Sequence, residues 1–389
     1  MAFIAGSSIV EFYCTKIDNL LSVSISKKII HIIPFFRRKI GLNLWLNHSE
    51  KAYMNILITG GAGFIGSHTY VALKEHGYTP IIVDNFSNSV ERVIGQLTEI
   101  CQETVQFIKG DINNPATLDT IFTQFKIEGV IHFAAAKAVG ESVENPLKYY
   151  RNNVGSTILL LEKMQEHRVK NLVFSSSCTV YGQPETLPVT ENSPVLKALS
   201  PYGNTKQICE EIIEESTRAS QQLKSISLRY FNPIGAHESA KIGELPLGPP
   251  ANLVPFLTQS VAGLRGPLQI WGTDYPTPDG TAIRDYIHVC DLAEAHVKAL
   301  AYLIKQHQAP FYDYFNIGSG EGSSVLQVIN AFEKATGKKV NYEVRNRRAG
   351  DITSVYASTE KSNKILDWKA KRSLEKSLKD AWAWQEAIL

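Results

Sequence analysis

Asn55-Ile56-Leu57-Ile58-Thr59-Gly60-Gly61-Ala62-Gly63-Phe64-Ile65-Gly66 is a short apolar run that opens into four glycines within seven residues. The first five residues predict a strand and Ser67 to His76 a helix, so the glycines lie on a strand-to-helix turn. Their chemistry is that of the backbone. Without side chains, Gly60, Gly63 and Gly66 permit a tight turn, the approach of a pyrophosphate to the amides, and close packing of helix on strand. A glycine pattern alone is weak, but here Ile81-Ile82-Val83-Asp84 follows as a second strand ending in an acid about 20 residues on. Asp84 can accept both ribose hydroxyls of an adenosine and would repel a 2′-phosphate. Asn85, not arginine, comes next, so NAD is expected over NADP.

The alternation continues. Val105 to Lys109 predicts a third strand ending in Gly110-Asp111-Ile112, with Asp111 placed to hydrogen-bond an adenine amino group. Gly129 to Ala136 predicts a fourth, its end at Phe133 and Ala134 small enough for close cofactor approach, with Lys137 following to meet a phosphate or a nicotinamide amide. Asn171 to Phe174 gives a fifth strand ending in Ser175-Ser176-Ser177, and Ser225 to Tyr230 a sixth. Strands separated by helices predict the α/β class, a doubly wound parallel sheet of the Rossmann type with ligands at the carboxyl ends. His132, inside an apolar strand, reads as a core histidine.

Ser200-Pro201-Tyr202-Gly203-Asn204-Thr205-Lys206 starts a helix expected to run to about Thr217, which puts Tyr202 and Lys206 on one face. A tyrosine serving as a base near neutrality needs its pKa lowered by about three units, roughly 4 kcal/mol. One charge about 6 Å away at an effective dielectric of about 20 supplies on the order of 2.8 kcal/mol, so Lys206 is expected to provide about two thirds. A nicotinamide cation would provide the remainder.

Hydrophobic content of 44% and charged content of 20% are those of a globular chain, and a formal charge of +2 argues against nucleic-acid binding. Residues 1–53 carry the slight basicity: without them 33 basic residues face 35 acidic ones. Five scattered cysteines, Cys14, Cys101, Cys178, Cys209 and Cys290, have no metal-ligand spacing and suggest a reduced, cytoplasmic protein without structural metal. The apolar run Ile29 to Phe36 is too short to span a bilayer, and no membrane association is expected. This segment reads either as a basic interfacial or targeting segment or, more simply, as sequence upstream of a start at Met54.

Thr59 to Gly66, Ser177 followed 25 residues later by Tyr202-x-x-x-Lys206, and Arg229-Tyr230-Phe231-Asn232-Pro233 resemble the extended short-chain dehydrogenase/reductase family. Lys137-Ala138-Val139-Gly140-Glu141-Ser142, Asp274 to Thr281 and Arg284-Asp285-Tyr286-Ile287-His288-Val289 sharpen the match toward its UDP-glucose 4-epimerase branch over residues 54–389. The resemblance implies NAD-dependent interconversion of UDP-glucose and UDP-galactose through a 4-keto sugar, in galactose metabolism, by a homodimer paired through helices near 141–166 and 203–219. Tyr202 would take the C4 hydroxyl proton, Ser177 would relay it, and Lys206 would also bind the nicotinamide ribose. Phe64, Ile65, Asn88, Asn152 and Phe231 match cofactor positions. Asn232, Asn252 and Trp271 join the substrate set, Arg284 and Arg348 would clamp the pyrophosphate in bidentate fashion, and Asp351 would hold the uridine ribose.

Val355 stands where some relatives carry a larger aromatic that walls off the sugar C2 position, so N-acetylated UDP-hexoses are expected to enter as well; a shift of one residue would put Tyr356 there instead. The expected division is a cofactor domain of 54–232 plus 283–310 and a smaller, discontinuous α/β substrate domain of 233–282 plus 311–389. A nucleotide-sugar dehydratase needs acids beside the serine, where this chain has Cys178-Thr179. A decarboxylase or uronate epimerase would need a basic group for a carboxylate, which the sequence leaves open. A dinucleotide-binding protein without catalysis has no need for Ser177, Tyr202 and Lys206 together.

Overall fold

The computed structural model describes residues 54–348 and 351–389; the N-terminal segment 1–53 lies outside the described residues. Strands β1 (Asn55–Thr59), β2 (Thr79–Asp84), β3 (Gln106–Lys109), β4 (Ile127–His132), β5 (Asn171–Ser175), β6 (Lys224–Tyr230) and β10 (Phe311–Ile317) form a seven-stranded sheet in the order β10-β6-β5-β4-β1-β2-β3. All its pairings are parallel. Both faces are covered, as the unbroken apolar strands demand. Alternate residues go to opposite sides: Ile56, Ile58, Ile82, Ile131 and Val173 pack toward the helices Phe64–Glu75 and Val289–Lys305. Leu57, Ile81, Val83, Val130 and Leu172 pack toward Pro115–Gln124, Gly155–Glu166 and Pro201–Ala219. The strand order reverses between β1 and β4, which opens a crevice at their carboxyl ends.

The rest of the chain gathers around a second core that includes Ile234, Leu257, Ile270, Phe332 and Trp382. There β9 (Ile283–His288) pairs with β7 (Asn232–Ile234), β11 (Gly322–Ser324) and β13 (Ser354–Val355), while β8 (Leu268–Trp271) pairs with β12 (Tyr342–Arg345). Two boundaries differ from the sequence expectation. Strand β9 belongs to this smaller sheet, and only the helix Val289–Lys305 returns, packing against Phe64–Glu75. Conversely, β10 was expected with the substrate part but closes the large sheet, because Phe311 to Ile317 pair in register with Lys224 to Tyr230. By contact density, all the described residues fall in one compact unit.

Candidate active site

The glycine turn is the floor of the crevice. Gly60 adopts φ +69°, donates to the Val83 carbonyl at 2.8 Å, and lies so close to β4 that a Cβ there would come within 2.9 Å of Ala134 N. A Cβ on Gly66 would meet the Gly60 carbonyl oxygen at 2.4 Å, and one on Gly63 the same oxygen at 3.2 Å. Phe64 and Ile65 begin the helix, whose amino end faces the crevice with Gly63 as N-cap. The cradle has room for backbone and a small anion but not for side chains.

Asp84 is buried and does more within the protein than expected. Its Oδ2 accepts from Ala62 N at 3.0 Å, and its Oδ1 from Phe86 N at 2.8 Å and Ser89 Oγ at 2.9 Å. These bonds tie β2 to the glycine turn and leave one lone-pair direction on Oδ2 for a ribose hydroxyl, where two had been expected. Asn85 and Asn88 are exposed on the same loop. Asp111 accepts from Asn85 Nδ2 at 3.1 Å and from the Asn113 backbone and side chain; these bonds outweigh burial and hold it below the usual carboxylate range. Ile112 beside it is part of the core.

An asparagine chain crosses to the other side. Asn152 accepts from Asn113 at 3.2 Å and donates to Asn153 Oδ1 at 3.0 Å. Asn153, which the sequence reading passed over, bonds Ala136 N and O and Thr205 Oγ1, so it pins the loop after β4 to the Tyr202 helix. Ala134 N donates to Thr59 Oγ1 at 3.3 Å, and Phe133 packs on His296 with ring centroids 4.6 Å apart. His132 has both nitrogens partnered, to Thr59 and Thr157, as a core histidine should. Lys137 is exposed and faces Glu244 at 3.5 Å.

Ser200 caps the helix Pro201–Ala219 by accepting from Gly203 N at 3.1 Å, with Pro201 in the first turn. Tyr202 and Lys206 are both buried on its inner face. Lys206 Nζ donates to the Ser175 carbonyl at 2.6 Å and lies 4.8 Å from the Phe174 ring and 5.9 Å from that of Tyr202. Burial pulls its pKa down to about 8, against the pull of Cys209 and Glu210. The expectation that Lys206 supplies two thirds of the phenol's activation needs correction. Burial is the largest influence on Tyr202 and raises it well above its ordinary value; Tyr230 adds to this, and hydrogen bonding by Ser177 opposes it. Within the protein's own groups desolvation wins. Ser177 also accepts from Thr179 N at 3.2 Å, which fixes its side chain at the start of the turn Cys178–Tyr181.

Several of the residues expected to hold substrate sit on or beside the two smaller sheets. Arg284, on β9, is paired with Asp351 Oδ1, whose other oxygen lies 3.5 Å from the Tyr275 hydroxyl. The Arg348 guanidinium stacks 4.7 Å from the Trp271 ring at the end of β8. Asn232 begins β7, next to buried Phe231. Asn252 is the N-cap of Leu253–Val261 without a side-chain capping bond; its Nδ2 instead donates to Glu244 at 3.0 Å. Val355 is buried in a cluster with Val180, Tyr181 and Phe231, and Cys178 packs against it. Tyr356 lies on the opposite side of the strand, against Gly322.

The chain matches the family model described as GDP-mannose 4,6 dehydratase over residues 57–381. It is 48% identical over 334 residues to the UDP-glucose 4-epimerase of Bacillus subtilis, covering 86% of this chain and 97% of that one. The chain belongs to the UDP-glucose 4-epimerase family. Two solved epimerases superpose on it. One, from Stenotrophomonas maltophila, holds NAD and formylated UDP-arabinopyranose, with TM-score 0.83, 44% identity and coverage of 86% of this chain and 98% of that one. The other is the UDP-Glc/GlcNAc 4-epimerase of Campylobacter jejuni, with TM-score 0.74, 36% identity and coverage of 86% and 99%. Ser177 follows the carboxyl end of β5, and Lys206 is bonded to the Ser175 carbonyl at that end.

Proposed function

We propose that this chain interconverts UDP-glucose and UDP-galactose, with NAD as its resident cofactor. The observation that carries the reading is the juxtaposition of a buried Ser177-Tyr202-Lys206 group with a glycine cradle that a Cβ would fill. That cradle, the remaining acceptor on Asp84 and the polar edge at Asp111 suit a dinucleotide. Bound NAD supplies a reversible acceptor for the hydride at the sugar C4.

The chain's own residues do the rest. As the phenolate, Tyr202 takes the C4 hydroxyl proton at its oxygen and returns it after turnover of the 4-keto sugar. Ser177 bridges the phenol and the sugar oxygen. Lys206 contributes a cation that stabilises the phenolate against burial. Arg284 and Arg348 bind the diphosphate, Asp351 the uridine ribose, and Asn232, Asn252 and Trp271 line the path. A firm hold on the nucleotide with a loose hold on the hexose lets the keto ring present either face. Cys178 and Thr179, in place of acids, leave no group beside Ser177 to eliminate water.

The experiment is to incubate the purified chain with UDP-galactose without added NAD and follow UDP-glucose. Product is expected, and Tyr202→Phe should reduce it by about 10²- to 10⁴-fold. No product, with NAD released on denaturation, would redirect the reading to another nucleotide sugar.

N-acetylated UDP-hexoses are a second substrate class, supported by Val355 at the pocket wall. Pairing of two copies is supported by Val139, Val143 and Leu147, which recur every four residues and are 48%, 63% and 76% exposed. Sedimentation of a Val143→Glu, Leu147→Glu variant should then show a monomer; an unchanged profile would count against that surface. No helix among the described residues is long and apolar enough to cross a membrane. Unpaired Cys101, Cys178, Cys209 and Cys290 suit a reducing compartment such as the cytoplasm, where the reaction would serve galactose metabolism.

A further inference from the structure

Tyr202, Lys206 and Glu210 recur every four residues along one helix, and all three are buried. Glu210 faces Arg229 on β6, itself buried. Arg229 Nη2 donates to Oε2 at 2.6 Å, and Nε lies 3.0 and 3.1 Å from the two carboxylate oxygens. Tyr181 and Tyr314 flank the guanidinium at 4.9 and 3.9 Å. Removing two charges from water is costly, and apolar side chains of the same volume often stabilise a core as well or better. Stability is therefore a poor account of this pair, and its surroundings offer another.

Three consecutive serines are tethered in turn. The Ser175 carbonyl accepts from Lys206 at 2.6 Å, the Ser176 hydroxyl donates to Glu210 Oε1 at 2.5 Å, and the Ser177 hydroxyl accepts from Thr179 N at 3.2 Å. Beyond Ser177 the same arginine holds the far end of the turn: Nη1 donates to the Tyr181 hydroxyl at 3.1 Å, and Tyr181 donates to Asn316 at 2.7 Å. One ion pair thus grips the segment that carries Ser177 on both sides.

The charge matters as well as the grip. Beside Lys206 stand Tyr202, Cys209 and Glu210 on its own helix and His132 on β4, with Arg229 of β6 reaching it only through Glu210. Burial keeps His132 neutral, with its pKa at about 3, and pushes the Cys209 thiol up, so Glu210 is the anion that favours the Lys206 ammonium.

We propose that Glu210, held by Arg229, is a positioning residue of the reaction, fixing Ser177 through Ser176 and keeping Lys206 charged beside Tyr202. The kinetic half of this inference rests on the 4-epimerase reading, whereas the titration half rests on the fold alone.

The test compares pH profiles of UDP-galactose turnover for the full chain, for Ser176→Ala, and for the paired variant Glu210→Gln, Arg229→Gln, which leaves no unbalanced charge. Ser176→Ala should lower kcat about 3- to 10-fold, with KM within about two-fold and the alkaline limb in place. The paired variant should move the alkaline limb to lower pH by about half a unit or more. In chain labelled with carbon-13 at lysine Cε, the Lys206 signal, assigned by its loss in Lys206→Met, should titrate at lower pH in the paired variant. Unchanged kcat in Ser176→Ala overturns the tether. A profile that is merely scaled down, or an unmoved Lys206 titration, overturns the charge. An inactive unsubstituted chain would count against the activity and leave the titration to judge the inference; should the paired variant fail to fold, Glu210→Asp, which shortens the tether but keeps the charge, should lower kcat without moving the limb.

Discussion

Val355 is the residue on which the proposed breadth of substrate rests. It packs with Tyr181 and Cys178, while Tyr356 lies against Gly322, and in the proposed reaction its side chain stands beside the sugar. Val355→Tyr is expected to lower kcat/KM for UDP-N-acetylgalactosamine at least about 10-fold more than for UDP-galactose, because the added ring fills space that the acetamido group would need. Equal losses on both substrates would mean that another residue forms the wall. Residues in this site differ in how much of their role the sequence carried. Spacing alone put Tyr202 and Lys206 on one face, since helical period is local. What Lys206 touches, the Ser175 carbonyl and the Phe174 ring, belongs to a strand about 30 residues away, and no helical pattern reports it. Asn153 and Glu210 were missed for the same reason, although the four-residue step from Lys206 to Glu210 was there to be read.

At the scale of elements, the glycine turn is where backbone contact and ligand binding coincide. The Cβ of Gly66→Ala would press on Gly60 O and on Gly61 Cα at 2.8 Å, both backbone atoms that cannot swing aside. That variant should lose about 1–3 kcal/mol of stability and much of its retained NAD. Gly95 is the contrasting case: it is exposed in the helix Arg92–Cys101 and has nothing within 4 Å of an added Cβ. Gly95→Ala should therefore gain about 0.5–1 kcal/mol and keep its NAD. Urea midpoints and the cofactor released on denaturation measure both, and equal behaviour of the two variants would refute the packing account. The first six strands of the large sheet were legible because they alternate with helical segments, and β1, β2 and β5 are apolar runs closed by glycine, acid and serine. Strand β10, Phe-Tyr-Asp-Tyr-Phe-Asn-Ile, has the alternation of a strand but no local sign of which sheet it joins. Its partner β6 lies about 85 residues earlier, and only tertiary pairing assigns it.

Across the whole molecule, buried histidines link the fold to pH. His68 hydrogen-bonds the Phe64 carbonyl at the start of the first helix, His132 joins Thr59 on β1 to Thr157 on the helix Gly155–Glu166, and His296 hydrogen-bonds the Leu292 carbonyl on the returning helix. Burial, the largest cause in each case, pushes His68 and His132 down to about 3 and His296 to about 4. In the unfolded chain each titrates near its ordinary value of about 6.5. Between those limits the unfolded state binds protons that the folded state refuses, so stability falls as pH drops below about 6.5 and levels only where the folded histidines themselves protonate. Each contributes up to about 1.4 kcal/mol per pH unit, and three together up to about 4 kcal/mol per unit, which is large against the 5–15 kcal/mol typical of a folded domain. Carboxylates held low by their partners act mainly below about pH 4, outside this window. Urea midpoints should therefore fall steadily from pH 6.5 to 5, with a smaller slope in His296→Gln. A midpoint that stays level down to pH 5 would show that these rings exchange protons with solvent in the folded protein, and that the helices covering the sheet open more readily than their packing implies.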